Sequence, residues 1–422
     1  MNAPDTTLTL DALIHERAAA LNEKLIAIRR DLHANPELGN REFRTAKVIA
    51  DHLKTLNLDH IQEKVAHTGV VALLKGGKPG PCVALRADMD GLPVTEETQV
   101  PFASKARTMW NDAEAGVMHA CGHDTHVAIL MAVAELLAGL REHIAGSVKF
   151  IFQPAEEGAP DGEEGGAALM IKEGVLEEPK VEAIFGLHIT SKMHAGRIGY
   201  RPGPFMASAD RFRIDLQGRQ THGAQPWSGV DPIVVGSQIV LGLQTIVSRK
   251  VNLTEEPAVV TVGAFHSGNR NNIIPDKAKM EGTVRAFDEK HREEIHGFID
   301  KIASMIAESG GAKAKVEILK GYPVTINDTA LTEWSVPVLK RAAGEMNVGV
   351  CPKTCGAEDF SFFQREVPGL FINLGCTPHD QVCKNAPSNH SPLFYVDESS
   401  LVVGVRAMAM LAVSWLGETN QT

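Results

Sequence analysis

The chain has 422 residues, of which 44% are hydrophobic and 22% charged, a composition that argues against a disordered, collagen-like or coiled-coil protein. This length exceeds one ordinary core, so we expect two or three domains. Lys and Arg total 42 against 52 Asp and Glu, and the resulting net charge of −10 argues against nucleic acid or anionic lipid as a partner. Small molecules or other proteins are the expected partners.

The sequence shows no stretch approaching the roughly 20 apolar residues that a membrane helix needs. Charged residues interrupt residues 1–24, unlike the apolar centre of a signal peptide. We therefore expect a cytoplasmic protein without a membrane partner; a periplasmic protein whose leader had been removed would begin in the same way. The six cysteines are expected to be thiols, and Cys376 and Cys383 are close enough in sequence to pair in an oxidising compartment.

In the first half of the chain, helical spacing of apolar residues alternates with short apolar runs bounded by turn residues, which are typical of buried strands. The pattern is helical at 21–56 with a turn at 35–40, extended at 70–74 and 83–88, helical at 127–140, and extended at 148–152 and 183–187. Helices alternating with buried strands predict an α/β domain with a largely parallel sheet.

After residue 201 the pattern changes to alternating polar and apolar residues, which is typical of half-exposed antiparallel strands. Strands are predicted at 211–216, 258–264 and 279–286, and helices at 231–250 and 289–309. Buried patterns then return, with a strand at 370–374 and a helix at 399–416. The simplest architecture is a larger α/β domain of residues 1–205 and 319–422, interrupted by a smaller α+β domain of residues 206–318.

Metal-capable side chains follow three predicted strands of the larger domain. Asp88 ends the second strand, Glu156 and Glu157 follow the third, and His188 follows the fourth. Open α/β sheets place their binding sites at the carboxyl edge of the strands, so these side chains are expected to converge. The adjacent glutamates are, on spacing alone, equally well explained as part of a solvated acidic loop, since further acidic residues follow them.

Cys121 and His123 flank a single glycine just before the predicted helix at 127–140, where the helix dipole favours a thiolate. Such a pair alone is more often incidental than a pair of metal ligands. His222 and His390 lie in polar loops, and each alone is explained as an exposed loop histidine. The motifs that surround these two histidines are what suggest a functional role for them.

Six ordered motifs carry a resemblance to a known family. They are MHACGHD at 118–124, QPAEEG at 153–158, GLH at 186–188, NIIPD at 272–276, GAEDFS at 356–361 and HSP at 390–392. Together with NPELG at 35–39 they resemble the aminoacylase, hippurate hydrolase and indoleacetyl-amino-acid hydrolase group of metallopeptidase-like amidohydrolases. The resemblance spans nearly the whole chain, and it implies a metallopeptidase-like catalytic domain interrupted by a lid and dimerisation domain.

The resemblance implies a binuclear metal site, with Cys121 bridging the two ions. The implied ligands are Cys121, His123, Glu157, His188 and His390. Thiolate and imidazole ligands favour zinc, whereas the carboxylate and an open site also accept manganese, cobalt or nickel, so two divalent ions, zinc or manganese first, are the expected cofactors.

The resemblance also assigns roles around the ions. Glu156 matches the general acid/base, and Asp88 matches a carboxylate that orients a ligand histidine. His222 matches a histidine brought to the reacting carbonyl, commonly from the partner subunit. Asn272 is similar to a substrate-binding asparagine of the same lid and dimer region, and a homodimer through the inserted domain is therefore expected.

The implied reaction is metal-dependent hydrolysis of the amide bond of N-acyl amino acids. Alternatives on the same site are a dipeptidase or carboxypeptidase and an N-carbamoyl-amino-acid hydrolase. A binding protein without catalysis would be expected to lack Glu156 or a ligand, and none is missing. The sequence differs from the residues common in the family at Thr125, Trp227 and the acidic stretch 159–164. These differences bear on which substrate the pocket accepts.

Overall fold

The protein is described from a computed structural model, which covers residues 9–110 and 112–419. The helices at the predicted positions are confirmed, including the pair before residue 56 and the C-terminal helix. The helices are α1 (Leu10–Ala20), α2 (Asn22–Ala34), α3 (Phe43–Leu53), α4 (His123–Ala138), α5 (Gly166–Lys172), α6 (Pro232–Arg249), α7 (Glu289–Ser309), α8 (Thr329–Ala343), α9 (Phe360–Glu366) and α10 (Leu401–Thr419).

The predicted strands are also confirmed, and the structure adds several short ones. The strands are β1 (His60–Val65), β2 (Gly69–Lys75), β3 (Lys78–Asp88), β4 (Arg107–Trp110), β5 (Ala113–Gly116), β6 (Ala145–Gln153), β7 (Val181–His194), β8 (Ile198–Tyr200), β9 (Gly203–Met206), β10 (Ala209–Gln217), β11 (Thr221–His222), β12 (Ala258–Ser267), β13 (Ile273–Ile274), β14 (Lys277–Ala286), β15 (Lys313–Tyr322), β16 (Thr325–Asn327), β17 (Val348–Val350) and β18 (Gly369–Thr377).

The chain forms two compact units, and the larger one is built on an eight-stranded sheet with the order β1-β2-β6-β3-β7-β18-β8-β17. The four central strands from β6 to β18 are parallel to one another, and antiparallel strands flank them. The central strands are buried on both faces, which explains their continuous apolar runs. The predicted α/β fold with a largely parallel sheet is confirmed.

Two apolar helices form much of the core of the larger unit. Nearly every residue of α4 is buried, and α4 contacts both α10 and β3. A helix that is apolar on all sides needs such a fully enclosed position. Because α4 begins at His123, the packing that holds this helix also sets where the CGHD motif lies.

The smaller unit is an antiparallel sheet of order β12-β14-β10-β15 with α6 and α7 packed on it. Burial alternates along β10, as the sequence pattern predicted. Asp231 caps α6 by accepting hydrogen bonds from the N–H groups of Ile233 and Val234, and Pro232 occupies the first turn.

A buried carboxylate connects sheet and helix in the smaller unit. Asp210 Oδ1 accepts hydrogen bonds from Arg292 Nη2 at 2.6 Å and from the N–H of Gly321 at 2.9 Å. Its Oδ2 accepts from Arg292 Nε at 2.8 Å and from His296 Nε2 at 2.9 Å. Burial disfavours the charged form of Asp210, but these hydrogen bonds outweigh burial and hold the pKa of Asp210 below its ordinary value.

The smaller unit comprises residues 204–326 together with 352–361, whereas the sequence predicted a single insertion at 206–318. The second segment joins it through backbone hydrogen bonds: Thr354 N–H donates to Phe205 O, and Ala207 N–H contacts the carbonyls of Thr354 and Gly356. Lys353 also pairs with Glu256. Contacts of this kind join segments distant in sequence, so local periodicity does not reveal them.

Two segments are long and apolar enough to span a membrane by length and composition alone, Pro232–Arg249 and Glu398–Gly417. The second segment is 67% buried, in keeping with its place in the core of the larger unit. The first, which is helix α6, is 33% buried, and its outward face carries the exposed side chains of Val234 and Leu241.

Candidate metal centre

The segment before α4 places Cys121 and His123 side by side. Gly122 between them has a φ of 90°, in the left-handed region, and a Cβ there would collide with the side chain of Ile189. Asp124 then pairs with Arg29 at 2.8 Å and His33 at 2.9 Å, which anchors the first turn of α4. The spacing Cys-Gly-His is therefore set by a backbone conformation that suits glycine.

His188 lies on β7, where one ring nitrogen makes a hydrogen bond to the backbone and the other points at the Cys121 thiol. Its Nδ1 donates to the carbonyl of Ile189 at 2.6 Å, so Nε2 presents a lone pair 3.3 Å from Cys121 Sγ. Burial lowers the pKa of His188 well below its ordinary value, and the nearby His126 lowers it further. His188 is thus neutral and suitably oriented to bind a metal.

Glu157 and His390 approach the thiol from two other loops. His390 Nε2 lies 3.2 Å from Cys121 Sγ and 3.0 Å from Glu157 Oε1. The neighbouring Asn389 donates to the carbonyls of Cys121 and Ile189, at 3.0 Å each. This amide ties the His390 loop to two other ligand-bearing segments of the larger unit.

The side chains form two overlapping groups whose ligand atoms all lie within 4.8 Å of one another: Cys121 with His123 and His188, and Cys121 with Glu157 and His390. Cys121 is the member common to both. A thiolate in that position can contribute to two ions, as the resemblance implied. The structure thus brings together all five side chains proposed from the sequence as ligands.

The electrostatics of the cluster fit divalent cations. Burial raises the pKa of the Cys121 thiol well above its ordinary value, and the carboxylates of Glu157 and Glu156 raise it further. Burial lowers the pKa of His123, but Asp88 and Asp90 outweigh burial and raise it to about 10. The acidic cluster therefore favours a positive charge at its centre, and a bound cation would supply that charge and stabilise the thiolate.

Asp88, the last residue of β3, was expected to orient a ligand histidine, but Asp90 makes that contact. The hydrogen bond from His123 Nδ1 goes to Asp90 Oδ1 at 3.1 Å, and Asp90 Oδ2 accepts from the N–H of Glu157 at 2.9 Å. His123 Nε2 makes no hydrogen bond to the described residues and lies 3.8 Å from Asp88. Asp90 thus orients His123 for binding through Nε2.

Asp88 contacts a different histidine, which the sequence reasoning had not singled out. His126 Nδ1 donates to Asp88 Oδ1 at 2.5 Å, and His126 Nε2 accepts from the N–H of Ile189 at 2.8 Å. Both nitrogens of His126 are therefore engaged, which leaves no lone pair for a metal. Arg86 pairs with Asp88 at 2.6 Å, so this carboxylate is held from two sides.

Glu156 lies beside the ligand groups and is almost fully buried. Its Oε2 is 3.9 Å from His123 Nε2, and it belongs to a further group with His123 and Glu157. The carboxylate is thus adjacent to the ligands without being required by either group that contains Cys121. That position suits a residue that exchanges protons at the site.

The two residues proposed from the smaller unit are neighbours there. His222 in β11 pairs with Ile273 in β13, and the N–H of Gly223 donates to the carbonyl of Asn272 at 2.8 Å. His222 is exposed, and its Nδ1 accepts from the N–H of Ala224 at 3.0 Å, so Nε2 carries the proton. Trp227 nearby is 78% exposed.

Sequence reasoning placed Asp90 beside Asp88 at the end of a strand but gave it no role, and it singled out neither His126 nor Asn389. Two of the three carry a usable signal. Asp90 is two residues from Asp88 and so lies on the same face of the chain as it leaves β3, and His126 is three residues after His123 on one face of α4. For Asn389 the only signal is its place beside His390. All six cysteines lie in the described residues, and none forms a disulfide.

Comparison with known proteins identifies the family. The model of peptidase family M20/M25/M40 matches residues 84–414. Thermostable carboxypeptidase 2 of Saccharolobus solfataricus is 40% identical, over 94% of this chain and 96% of its own. N-acetylcysteine deacetylase of Bacillus subtilis is 38% identical over 93% and 97%, and IAA-amino acid hydrolase ILR1-like 4 of Arabidopsis thaliana is 36% identical over 93% and 86%.

Among solved structures, the chain is similar to the Bacillus subtilis YXEP protein, described as a dinuclear metal binding peptidase of the M20 family. The two share 36% sequence identity with a TM-score of 0.78, covering 94% of this chain and 99% of that one. The recognition of an amidohydrolase family from the ordered motifs is confirmed. The chain therefore belongs to peptidase family M20/M25/M40 and is a metal-dependent hydrolase of the amidohydrolase and peptidase type.

Proposed function

We propose that this protein hydrolyses the amide bond of N-acyl amino acids, with Glu156 as the general acid and base. The observation that carries the proposal is the buried Glu156 carboxylate beside two ligand groups that share Cys121. Relatives named as an N-acetylcysteine deacetylase and an IAA-amino acid hydrolase support this substrate class.

The chain's own residues would divide the reaction between them. Cys121, His123, Glu157, His188 and His390 would hold two divalent ions, which supply a water of lowered pKa and polarise the scissile carbonyl. Glu156 accepts the proton of the attacking water and passes it to the leaving nitrogen. His222, whose Nε2 carries a proton, would donate to the developing oxyanion of a substrate held by the partner subunit, a contribution worth about 2.7–4 kcal/mol for comparable donors.

For the metals we propose zinc or manganese. The thiolate and three imidazoles of the ligand groups favour zinc, and the carboxylate of Glu157 also suits manganese. Cobalt or nickel could bind the same thiolate, imidazole and carboxylate donors. Reconstitution of metal-free protein with each ion in turn, followed by activity measurement, identifies the metals that support turnover.

Carboxypeptidase activity is the second candidate, and the 40% identity to thermostable carboxypeptidase 2 favours it. Both candidate reactions break an amide bond whose nitrogen belongs to an amino acid with a free carboxylate. They differ only in the acyl half, which is a simple acyl group in one case and a peptide in the other. A panel of N-acetyl, N-benzoyl and N-carbamoyl amino acids and dipeptides separates these candidates.

A homodimer through the smaller unit is part of the proposal. Val234 and Leu241 on α6 are exposed apolar side chains, and β12 is an edge strand of the four-stranded sheet with Val259 exposed. An apolar helix face beside an unpaired strand edge is suited to pairing with a second copy. Light scattering of the active enzyme tests this, and a stable monomer with full activity would contradict it.

The decisive experiment for the chemistry is Glu156→Gln. The amide preserves size but cannot accept the proton, so turnover is expected to fall about 100- to 10,000-fold or more while both metals remain bound. Glu182→Gln, an exposed glutamate on β7, is the matched control and should keep full activity. A Glu156→Gln protein that is metal-loaded and active would refute the role of Glu156.

A further inference from the structure

A cavity of about 700 Å³ opens on the four-stranded sheet of the smaller unit. The exposed side chains around it alternate along β10 with the buried Phe212 and Ile214, so the cavity lies on the face that α6 and α7 do not cover. The charged side chains in its wall are Lys277, Lys279, Lys313, Lys315 and Asp215. Four lysines against one aspartate give a local excess of positive charge, in a chain whose net charge is −10.

The strand register places the four lysines around the middle strand of the cavity. β10 lies between β14 and β15, and its residues Asp215 and Gln217 each pair with one lysine on either side. The flanking pairs are Lys279 with Lys315 around Asp215, and Lys277 with Lys313 around Gln217. From the usual spacing of strands and of alternate residues, the Cα atoms of the four lysines form a rectangle of roughly 10 by 7 Å. These four side chains are called the lysine cluster below.

The positive charge of the lysine cluster is largely uncompensated. Three of the four lysines make no ion pair with any residue that the structure describes, and the exception is Lys279, whose Nζ lies 2.6 Å from Glu281 Oε1. That carboxylate oxygen is shared, because Arg213 Nε lies 3.3 Å from it. Asp215 forms no ion pair within the described part of the chain, although lysines flank it on both sides. The cluster therefore has charge available for an added anion.

Protection of a sheet edge explains only half of the lysine cluster. β15 is an edge strand, and lysines on an edge strand hinder pairing with another chain. Lys277 and Lys279 lie on β14, which has a hydrogen-bonded neighbour on both sides, so edge protection does not explain them. Their Cα atoms are about 7 Å apart, within the Debye length of about 8 Å at physiological salt, so the two charges repel each other. A bound anion would relieve this repulsion.

The residue types in the wall favour phosphate over carboxylate. The planar fork of arginine suits bidentate binding of a carboxylate, whereas lysine binds phosphate as a compact charge with three donors. The described wall contains lysines and no arginine, and His266, opposite Lys279 on β12, adds a ring N–H. The net charge of −10 disfavours a long nucleic acid. A short anion that carries several phosphate charges satisfies both conditions.

We propose that the lysine cluster binds a short condensed phosphate, either inorganic triphosphate or the triphosphate chain of a nucleotide. The phosphate oxygens would accept hydrogen bonds from the lysines of β14 and β15 and so connect the strands on either side of β10. Because such a ligand binds the folded sheet and not the unfolded chain, it would stabilise the smaller unit by mass action. The site is independent of the proposed hydrolysis, since no residue of its wall has a role in that reaction.

Chemical modification of lysines locates the bound anion. The metal-loaded protein is treated with a low dose of acetic anhydride, with and without sodium triphosphate, and acetylation at each lysine is measured by mass spectrometry. At a triphosphate concentration about ten times the Kd, the acetylation rate of the lysine cluster should fall about 10-fold. Lys301, an exposed lysine on α7, should react at an unchanged rate. An unprotected lysine cluster, or equal protection of Lys301, would refute the site.

Two further anions identify the ligand in the same experiment. Sodium sulfate at the same ionic strength should leave the lysine cluster unprotected, and protection equal to that by triphosphate would contradict the requirement for a condensed phosphate. ATP distinguishes the two sources of the phosphate chain. Equal protection by ATP and triphosphate would show that the chain alone is recognised, whereas protection by ATP alone would assign the site to a nucleotide.

Substitutions test the same site through affinity. In titration calorimetry, Lys277→Gln and Lys313→Gln should each bind triphosphate about 10-fold more weakly, since each removes a charge-assisted hydrogen bond. Asp215→Asn should bind it about 3-fold more tightly, because a repelling carboxylate is removed from the wall. Lys301→Gln is the matched control and should bind like wild type. Heat from triphosphate binding to metal ions is common to all these proteins, and equal affinity in wild type and both cluster variants would overturn the proposal.

Discussion

Two clusters that each combine carboxylate and histidine side chains differ in how their polar atoms are paired. In the smaller unit, Asp210 receives two hydrogen bonds on each carboxylate oxygen, from Arg292, His296 and a backbone N–H. In the larger unit, carboxylates, histidines and a thiol converge, yet His123 Nε2 makes no hydrogen bond to the described residues, and burial and the nearby carboxylates raise the pKa of the Cys121 thiol.

The difference separates a structural cluster from one that awaits a ligand. The negative charge of Asp210 is compensated by the permanently charged Arg292, so this cluster needs no bound ion to be stable. In the metal centre, two groups of thiol, imidazole and carboxylate ligand atoms share Cys121. Removing a member should therefore damage stability in the first cluster and metal binding in the second.

The largest effect is expected from Cys121→Ser. Because Cys121 belongs to both ligand groups, one substitution weakens both sites at once. Bound metal, measured by elemental analysis after dialysis, should fall sharply. The value of kcat/KM should fall about 1,000-fold or more, since metal ions supply several kcal/mol of transition-state stabilisation. Cys351→Ser, a buried thiol outside both groups, is the control; equal metal loss in both variants would contradict the shared role of Cys121.

Asp210→Asn should test the structural cluster. Removing the charge leaves the buried Arg292 with the partly exposed Glu289 as its acidic partner, and we expect the free energy of unfolding to fall by about 3 kcal/mol at neutral pH. Asp215→Asn, an exposed position on the same strand, should change it by no more than about 0.5 kcal/mol. Denaturant unfolding measures both, and bound metal should be the same in the two variants.

The same substitution predicts a pH dependence. The pKa of Asp210 is lower in the folded protein than the roughly 3.9 of an unfolded chain, so its stabilisation is present above about pH 4. As pH falls below that value, the unfolded state takes up the proton first and the contribution is lost. The stability difference between wild type and Asp210→Asn should therefore shrink below pH 4; a constant difference would contradict the charged role of Asp210.

Of the three substitutions Cys121→Ser, Asp210→Asn and Asp90→Asn, the last should disturb the protein least. Asp90 contacts His123 and the backbone of Glu157, so its loss disturbs two ligands without removing either. Metal affinity is expected to fall about 10- to 100-fold, with activity recovered at high metal concentration. Asp161→Asn, on the exposed acidic loop, should bind metal like wild type in the same competition titration.

Sequence reasoning captured the features that depend on local pattern. Buried strand runs predicted the sheet, and Asp88, Glu156 and Glu157 lie at or after the ends of β3 and β6 as expected. His188 was predicted to follow its strand but lies inside β7, which continues to His194. The convergence of His390 with Cys121 rested on the family resemblance, because no local pattern relates residues 269 positions apart. Asp90 contacts His123 and Asp88 contacts His126. The packing of α4 decides which histidine each carboxylate reaches, so the sequence alone could not assign these contacts.

The parts that escaped prediction arise from long-range contacts. Residues 352–361 join the smaller unit through backbone hydrogen bonds to the segment around Phe205. The β4–β5 hairpin lacks the apolar run of a buried strand, since three of the four residues of β4 are exposed. The sequence therefore gave no signal for this hairpin.

Gly122 has a consequence beyond the spacing of its neighbours. Its backbone packs against Ile189, which follows His188 and whose carbonyl and N–H hold both His188 and His126. Two ligand-bearing segments therefore meet through main-chain and aliphatic contacts that need no ion. The relative positions of Cys121, His123 and His188 are therefore set by packing in the core of the larger unit, and a ligand bound there would need little rearrangement of these three side chains.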